Sequence, residues 1–249
     1  MPRPDHTCPA RSPSLRQFAQ GATLCLLLAF PTVASADDTQ LWSVHAFGLK
    51  IGELNLAAQT TKSTYKGNGS FKTTGLAGVL RRIRFTIAAN GKTRGGDLSP
   101  IAYDGFIDTG KRVSETKLRF KNGLPNKTAG DQEPETPISD AAKQGALDPM
   151  TMMLLTVRDQ TDATLCNINQ TQFDGTRLVR ITLKSQNWSN DKVTCSGTYD
   201  RIGGYSADEL AELKTSPLSI TYTRTDDLWR ASEIRLTSRH GKAKLLRRD

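Results

Sequence analysis

The chain has 249 residues, 37% hydrophobic and 24% charged, with a formal net charge of +9. Past its N-terminal segment no apolar run approaches the ~20 residues of a membrane-spanning helix. Its three His and four Cys leave little material for nucleophilic or metal chemistry. The positive balance favours anionic partners such as phospholipid headgroups or acidic polysaccharide, although it is also ordinary for a soluble domain.

Residues 1–36 read as a cleavable secretory signal. Arg3, Arg11 and Arg16 make a basic start. Residues 22–33 (ATLCLLLAFPTV) form an apolar core too short to span a bilayer, and Ala34-Ser35-Ala36 is an A-x-A site with cleavage expected before Asp37. A lipidated protein would need Cys directly after that site. The expected compartment lies outside the cytosol and is oxidising, which disfavours nucleic acid as a partner. Residues 37–249 are expected to form one domain.

Period-two alternation then dominates. Leu54, Leu56 and Ala58 share a face, as do Tyr65, Gly67, Gly69 and Phe71, and Ile83, Phe85, Ile87 and Ala89. Ile101, Tyr103, Gly105 and Ile107 continue the pattern, followed by Val179, Ile181 and Leu183, then Val193, Cys195, Gly197 and Tyr199. Leu218, Ile220 and Tyr222 come next, then Ile234 with Leu236, and Ala243 with Leu245. This is the pattern of strands with one buried and one wet face. Turns are expected at Phe47-Gly48, Asn90-Gly91, Gly95-Gly96-Asp97, Asp108-Thr109-Gly110 and Asn122-Gly123. Without intervening helices, neighbouring strands should pair antiparallel. Strand glycines at 67, 69, 105 and 197 suggest curvature or an open groove beneath the sheet. Residues 122–142, with three Pro and few groups to bury, read as a surface loop between two halves of one sheet.

Two helices interrupt the strands. Asp148 is a good N-cap and Pro149 suits the first helical position, so a helix is predicted over 149–158. Met150, Met153, Leu154 and Val157 make a one-sided stripe on it. Ser206 with Glu209 is a capping box for a short helix over 207–214. Three Met within four positions of the first helix give an adaptable apolar surface, suited either to core packing or to a variable apolar ligand.

Catalytic signatures are scarce. Beyond the signal only His45 and His240 remain, far apart in sequence, with no H-E-x-x-H, G-x-S-x-G or C-x-x-C. Gly91-Lys92-Thr93 lacks the earlier Gly of a phosphate loop. Asp104, Asp108, Glu115, Asp200, Glu209 and Glu233 could in principle supply a carboxylate pair for glycoside hydrolysis. Arg81, Arg82 and Arg84, and the tail residues Lys242, Lys244, Arg247 and Arg248, are either anion contacts or a solvated face. Cys166 and Cys195, an even pair in an oxidising compartment with no His or further Cys nearby to complete a metal shell, predict a disulfide.

The chain resembles the periplasmic bacterial family called domain of unknown function 3108. The resemblance rests on an ordered set of segments: Gly48-Leu49-Lys50-Ile51-Gly52-Glu53, Thr73-Thr74-Gly75-Leu76-Ala77-Gly78, Gly145-Ala146-Leu147-Asp148-Pro149, Cys166, Phe173-Asp174-Gly175-Thr176-Arg177, Cys195, and Tyr199 through Tyr205. It implies the paired cysteines and a long antiparallel sheet curled around a helix. That architecture is similar to the lipoprotein-carrier and outer-membrane lipoprotein-receptor folds, which hold acyl chains between sheet and helices.

The expectation is therefore an all-β fold, a strongly curved antiparallel sheet (open barrel or β-spiral) with one covering helix and one short helix. No catalytic residue, metal or cofactor is expected. The leading function is a non-enzymatic envelope protein binding a lipid or acyl chain in a groove lined by Met150, Met153, Leu154, Val157, Gly67 and Gly197, with Arg81, Arg82 and Arg84 as possible anion contacts. The alternative is an envelope scaffold acting through its surface on protein or cell-wall partners.

Overall fold

The computed structural model describes residues 36–80, 82–238 and 241–249. The expected signal segment, Arg81 and His240 fall outside the described residues. The first half runs β1 (Ala36–Ala46), β2 (Leu49–Thr60), β3 (Thr64–Thr73), α1 (Gly75–Leu80), β4 (Arg84–Arg94), β5 (Asp97–Asp108), β6 (Val113–Lys121) and β7 (Leu124–Ala129). A connection holding α2 (Asp140–Lys143) and α3 (Pro149–Val157) follows. The second half is β8 (Ile168–Phe173), β9 (Leu178–Ser189), β10 (Lys192–Gly203), α4 (Ala207–Glu212), β11 (Thr215–Thr225), β12 (Leu228–Ser238) and β13 (Gly241–Arg247).

All thirteen strands form one antiparallel sheet in the order β7-β6-β5-β4-β3-β2-β1-β13-β12-β11-β10-β9-β8. The sheet is barrel-shaped and nearly closed. Each half is a meander of hairpins, and the two are joined at the centre by the first and last strands, with Val44 opposite Leu245. The open edges, β7 and β8, are drawn together by the connection. Gly145 donates to the Gly123 carbonyl at the β6–β7 turn, and Leu147 exchanges hydrogen bonds with Thr171 and Phe173 of β8. Covering an edge in this way removes a template for unwanted strand pairing.

Three local features differ from expectation. Asn90-Gly91 is a β-bulge inside β4 and makes no turn. A side chain at Gly91 would strike the Ser99 carbonyl and the Tyr65 ring. The segment expected to be a loop contains β7, a polar strand with Pro125 that the alternation rule does not detect. It lies on a sheet edge, where a missing N–H is tolerated. Four helical segments appear among the described residues where two were expected, α1 and α2 being the additions.

The main correction concerns α3. Its predicted N-cap holds: Asp148 accepts hydrogen bonds from the Thr151 backbone N–H at 2.8 Å and the Thr151 hydroxyl at 2.6 Å. The predicted single apolar face does not. Met150, Thr151, Met152, Leu154, Thr156 and Val157 are all buried, which places burial on every side of the helix, while Met153 is only partly buried. α3 is thus wrapped by the curled sheet, as the family resemblance implies, with burial that reaches beyond the predicted stripe. Its polar groups are met inside the barrel. The Tyr65 hydroxyl lies 2.7 Å from Thr151 Oγ1. At the other end the Tyr222 hydroxyl donates to the Thr156 carbonyl at 2.7 Å, and Gln40 Nε2 donates to the Val157 carbonyl at 3.2 Å. The last turn of a buried helix requires such donors.

Behind α3 the chain crosses to β8 through Cys166, which is bonded to Cys195 of β10 with the Cα atoms 5.1 Å apart. The bridge spans 29 positions and is buried at both ends. It anchors the exit of the interior helix to the second half of the sheet. A loop of this size corresponds to roughly 3.5 kcal/mol of chain entropy in the unfolded state. Cys195→Ser should therefore lower the melting temperature by at least about 5 °C in a non-reducing thermal melt, and dithiothreitol should shift the wild type similarly. Equal melting temperatures would show that the bridge carries no stability.

Candidate functional site

The sheet does not pack equally against the two sides of α3. Toward β3 it is tight: a Cβ placed on Gly67 would lie 2.6 Å from Leu154 Cδ1 and 3.1 Å from Met150 Cε, and one on Gly69 would lie 3.2 Å from Met150 Sδ. The glycines let the helix sit close to this wall. Toward β10–β13 a cavity of about 420 Å³ remains between helix and sheet. Met152, Met153 and Val157 form its helix side, and Ile220, Ile234, Leu236 and Leu245 its sheet side. Leu218, Ile234 and Leu245 pack against the core yet stay only partly buried, and Leu236, which lines the same cavity, is partly buried too. An inward apolar residue left half-exposed marks space that the protein does not fill with its own side chains.

The cavity has direction. Most of its polar lining, Arg201, Tyr205, Ser216, Thr237 and Ser238, lies at the end of the sheet where β10 and β12 finish and β11 begins, while Thr156 lies toward the other end. Arg201 and Thr237 are half-exposed, which locates the mouth there. Arg201 is held in place: Nη1 donates to the Glu209 carbonyl at 2.9 Å, and the guanidinium stacks 5.1 Å from the Tyr205 ring centre. Arg177 stacks on the same ring at 4.7 Å and pairs with Glu209 at 3.0 Å. The far end is closed by the exit of α3, where Arg158 donates to the Gly96 carbonyl at 2.6 Å. A second, more polar cavity of about 410 Å³ lies toward β4–β6, and Met153 and Gln172 line both.

Residues 41–200 match the family model described as "Protein of unknown function (DUF3108)". The chain belongs to this DUF3108 family. No curated protein and no solved structure matches it. The family resemblance read from the sequence is thus matched, while the barrel-like sheet alone speaks for the carrier-like fold.

The predicted groove residues of this DUF3108 chain divide into three groups. Met153 and Val157 line the cavity. Met150, Leu154 and Gly67 lie on the opposite, close-packed side of α3. Gly197 is explained by backbone geometry: it sits at a β-bulge, where a side chain would run into the Thr182 carbonyl. It borders a different depression, of about 800 Å³, with His45, Arg235 and Lys244. Among the arginines, Arg82 is exposed, and Arg84 pairs with Asp108 at 3.1 Å. The basic tail is strand β13, and Arg247 within it is nearly buried between Asp38 and Asp249. Of the candidate carboxylates, Asp104 pairs with Arg119, Asp108 with Arg84, Glu209 with Arg177 and Glu233 with Arg235. Sequence reading did place Leu218, Ile234, Leu236 and Leu245 on inward faces. Nothing in their alternation marks them as the inward residues left uncovered.

A Leu at Gly67 has no room on the tight side. Gly67→Leu should destabilise the fold by roughly 1–3 kcal/mol in a urea titration. An unchanged midpoint would mean that α3 moves away freely.

Among the described residues, Asp148 is the one carboxyl pushed far upward. Burial raises it to about 6 from an ordinary 3.8, against the opposing pull of its Thr151 hydrogen bonds. Between about pH 4 and 6 the native state therefore binds this proton more tightly than the unfolded chain does. Its contribution to stability falls as pH rises through that window and is flat above it. A displacement of this size corresponds to roughly 3 kcal/mol. Asn at 148 keeps an acceptor for Thr151 but cannot titrate. The stability of wild type minus that of Asp148→Asn should fall by roughly 2–3 kcal/mol between pH 4 and pH 7. A difference independent of pH would show that the carboxyl is not perturbed.

Proposed function

We propose that this protein is an exported, non-enzymatic component of the bacterial envelope that holds a lipid or acyl chain between α3 and strands β10–β13. The observation that carries the reading is the cavity itself, whose inward apolar residues Leu218, Ile234, Leu236 and Leu245 remain partly exposed around an unfilled volume of about 420 Å³. That volume falls in the roughly 300–1,000 Å³ range of small-molecule sites, and a mostly apolar lining with a few polar groups at one end is their usual chemistry. Met152 and Met153 supply flexible, polarizable contacts that adapt to chains of different length. Arg201 at the mouth suits an anionic headgroup. The leader-like residues 1–36 and the Cys166–Cys195 bridge favour an oxidising, extracytoplasmic setting.

Organic extraction of the purified protein followed by mass spectrometry should release acyl species, and the emptied protein should take up a fluorescent fatty acid. Leu218→Trp and Ile234→Trp, made singly, should each weaken probe uptake by about tenfold or more while leaving the melting temperature nearly unchanged, because they fill empty space. Wild-type protein that neither carries lipid nor binds the probe, with destabilised Trp variants, would overturn the reading.

A further inference from the structure

The antiparallel meander sorts every connection to one end of the barrel or the other, and the two ends differ in chemistry. At the far end the hairpin turns β6–β7, β9–β10 and β11–β12 place Asn122, Asn190 and Asp226 in the left-handed region, at φ 52°, 53° and 53°. Asn and Asp are the residues expected there. At the mouth end, the β1–β2 turn puts Phe47 in the same conformation, at φ 52°, followed by Gly48. A bulky aromatic is disfavoured in that region, and the ring gains little burial in return, since it is 80% exposed. Leu49 beside it is 70% exposed, and Val113, the first residue of β6, 61%. These are the three most exposed large apolar side chains among the described residues, and all three lie at the mouth end.

Basic residues surround them. Lys50 and Lys242 flank the Phe47 turn, Lys111 and Arg112 precede Val113, and Arg82 lies between the two sites, all of them exposed. Lys50 pairs with Glu53, whereas Arg82, Lys111, Arg112 and Lys242 make no ion pair among the described residues. Of the acidic residues at this end, Glu53 and Asp108 lie within the arc and are paired with Lys50 and Arg84, while Asp208, Glu209 and Glu212 sit on α4, in the other half of the sheet order.

We propose that the arc of the rim from β6 to β13 docks onto an anionic phospholipid bilayer, with Phe47, Leu49 and Val113 entering the interfacial layer and Lys50, Arg82, Lys111, Arg112 and Lys242 facing the headgroups. Exposed apolar tips ringed by cations are complementary to such a surface. Each basic residue adds to the attraction, which salt weakens. Docking in this way brings the mouth of the α3 cavity to the membrane. The inference rests on the rim alone and holds whether or not the cavity takes an acyl chain.

Sedimentation with vesicles tests it. The protein should bind phosphatidylcholine vesicles containing phosphatidylglycerol at low salt, bind pure phosphatidylcholine much less, and dissociate as salt is raised. Phe47→Asn together with Leu49→Ser should weaken binding by about tenfold or more without lowering the melting temperature, because Asn suits the turn better than Phe. Lys111→Glu with Lys242→Glu should act likewise. Leu228→Ser, at the far end, should leave binding unchanged. Uptake of the fatty-acid probe in solution should survive the Phe47 and Leu49 changes, which separates failure of docking from failure of the cavity reading. No binding to phosphatidylglycerol vesicles, or equal binding by the wild type and the Phe47 and Leu49 variant, overturns the proposal.

Discussion

A helix that is buried on all sides must have a wall on all sides, and α3 imposes that constraint on the rest of the chain. Two stacked layers would leave one flank of Met150, Met152, Leu154 and Val157 in water. A single sheet curled around the helix covers every flank. The long order of thirteen strands, the pairing of the first strand with the last and the near approach of the two edges all serve that enclosure. Enclosure makes polar accounting strict, because the helix ends are also buried. Asp148 at the start, and Tyr222 and Gln40 at the finish, supply partners that solvent supplies to an ordinary helix. The upward displacement of the Asp148 carboxyl is the electrostatic cost of that position.

Enclosure is also uneven, and the unevenness creates the candidate site. Gly67 and Gly69 draw the helix against β3, where Leu154 and Met150 occupy the space that side chains would have taken. A helix pressed to one wall stands off from the opposite one, and the leucines and isoleucines of β11–β13 are too short to close the distance. A strand glycine beneath a helix is easily read as a gap. Here it is the tight contact, and the gap lies across the barrel from it.

The polar frame around the site is firm where the apolar lining is loose. Arg177, Arg201, Tyr205 and Glu209 hold one another by stacking, ion pairing and hydrogen bonds, on the capping box that starts α4. The disulfide secures the chain behind α3. The cavity is therefore bounded by fixed groups at its mouth and its closed end, with two methionines along its helix side.

Local chemistry was legible in the amino-acid sequence. Alternation identified most strands and their inward faces, the Asp148-Pro149 and Ser206-Glu209 pairs identified where two helices start, and the two cysteines beyond the leader-like segment identified the bridge. These signals act over a few residues, through dihedral preference, capping and side-chain period. Strand β1 was overlooked although Gln40, Trp42 and Val44 alternate, and β7 because an edge strand with Pro125 has no apolar face to display. The four-sided burial of α3 could not be read from a helical stripe, since Thr151 and Thr156 look like outward positions until Tyr65 and a carbonyl acceptor meet them. Which glycines are contacts, which inward leucines are left bare, and which turns share an end depend on strand order and on the pairing of β1 with β13, some two hundred positions apart. Only the tertiary structure decided these, because a contact between distant segments leaves no periodicity in either of them.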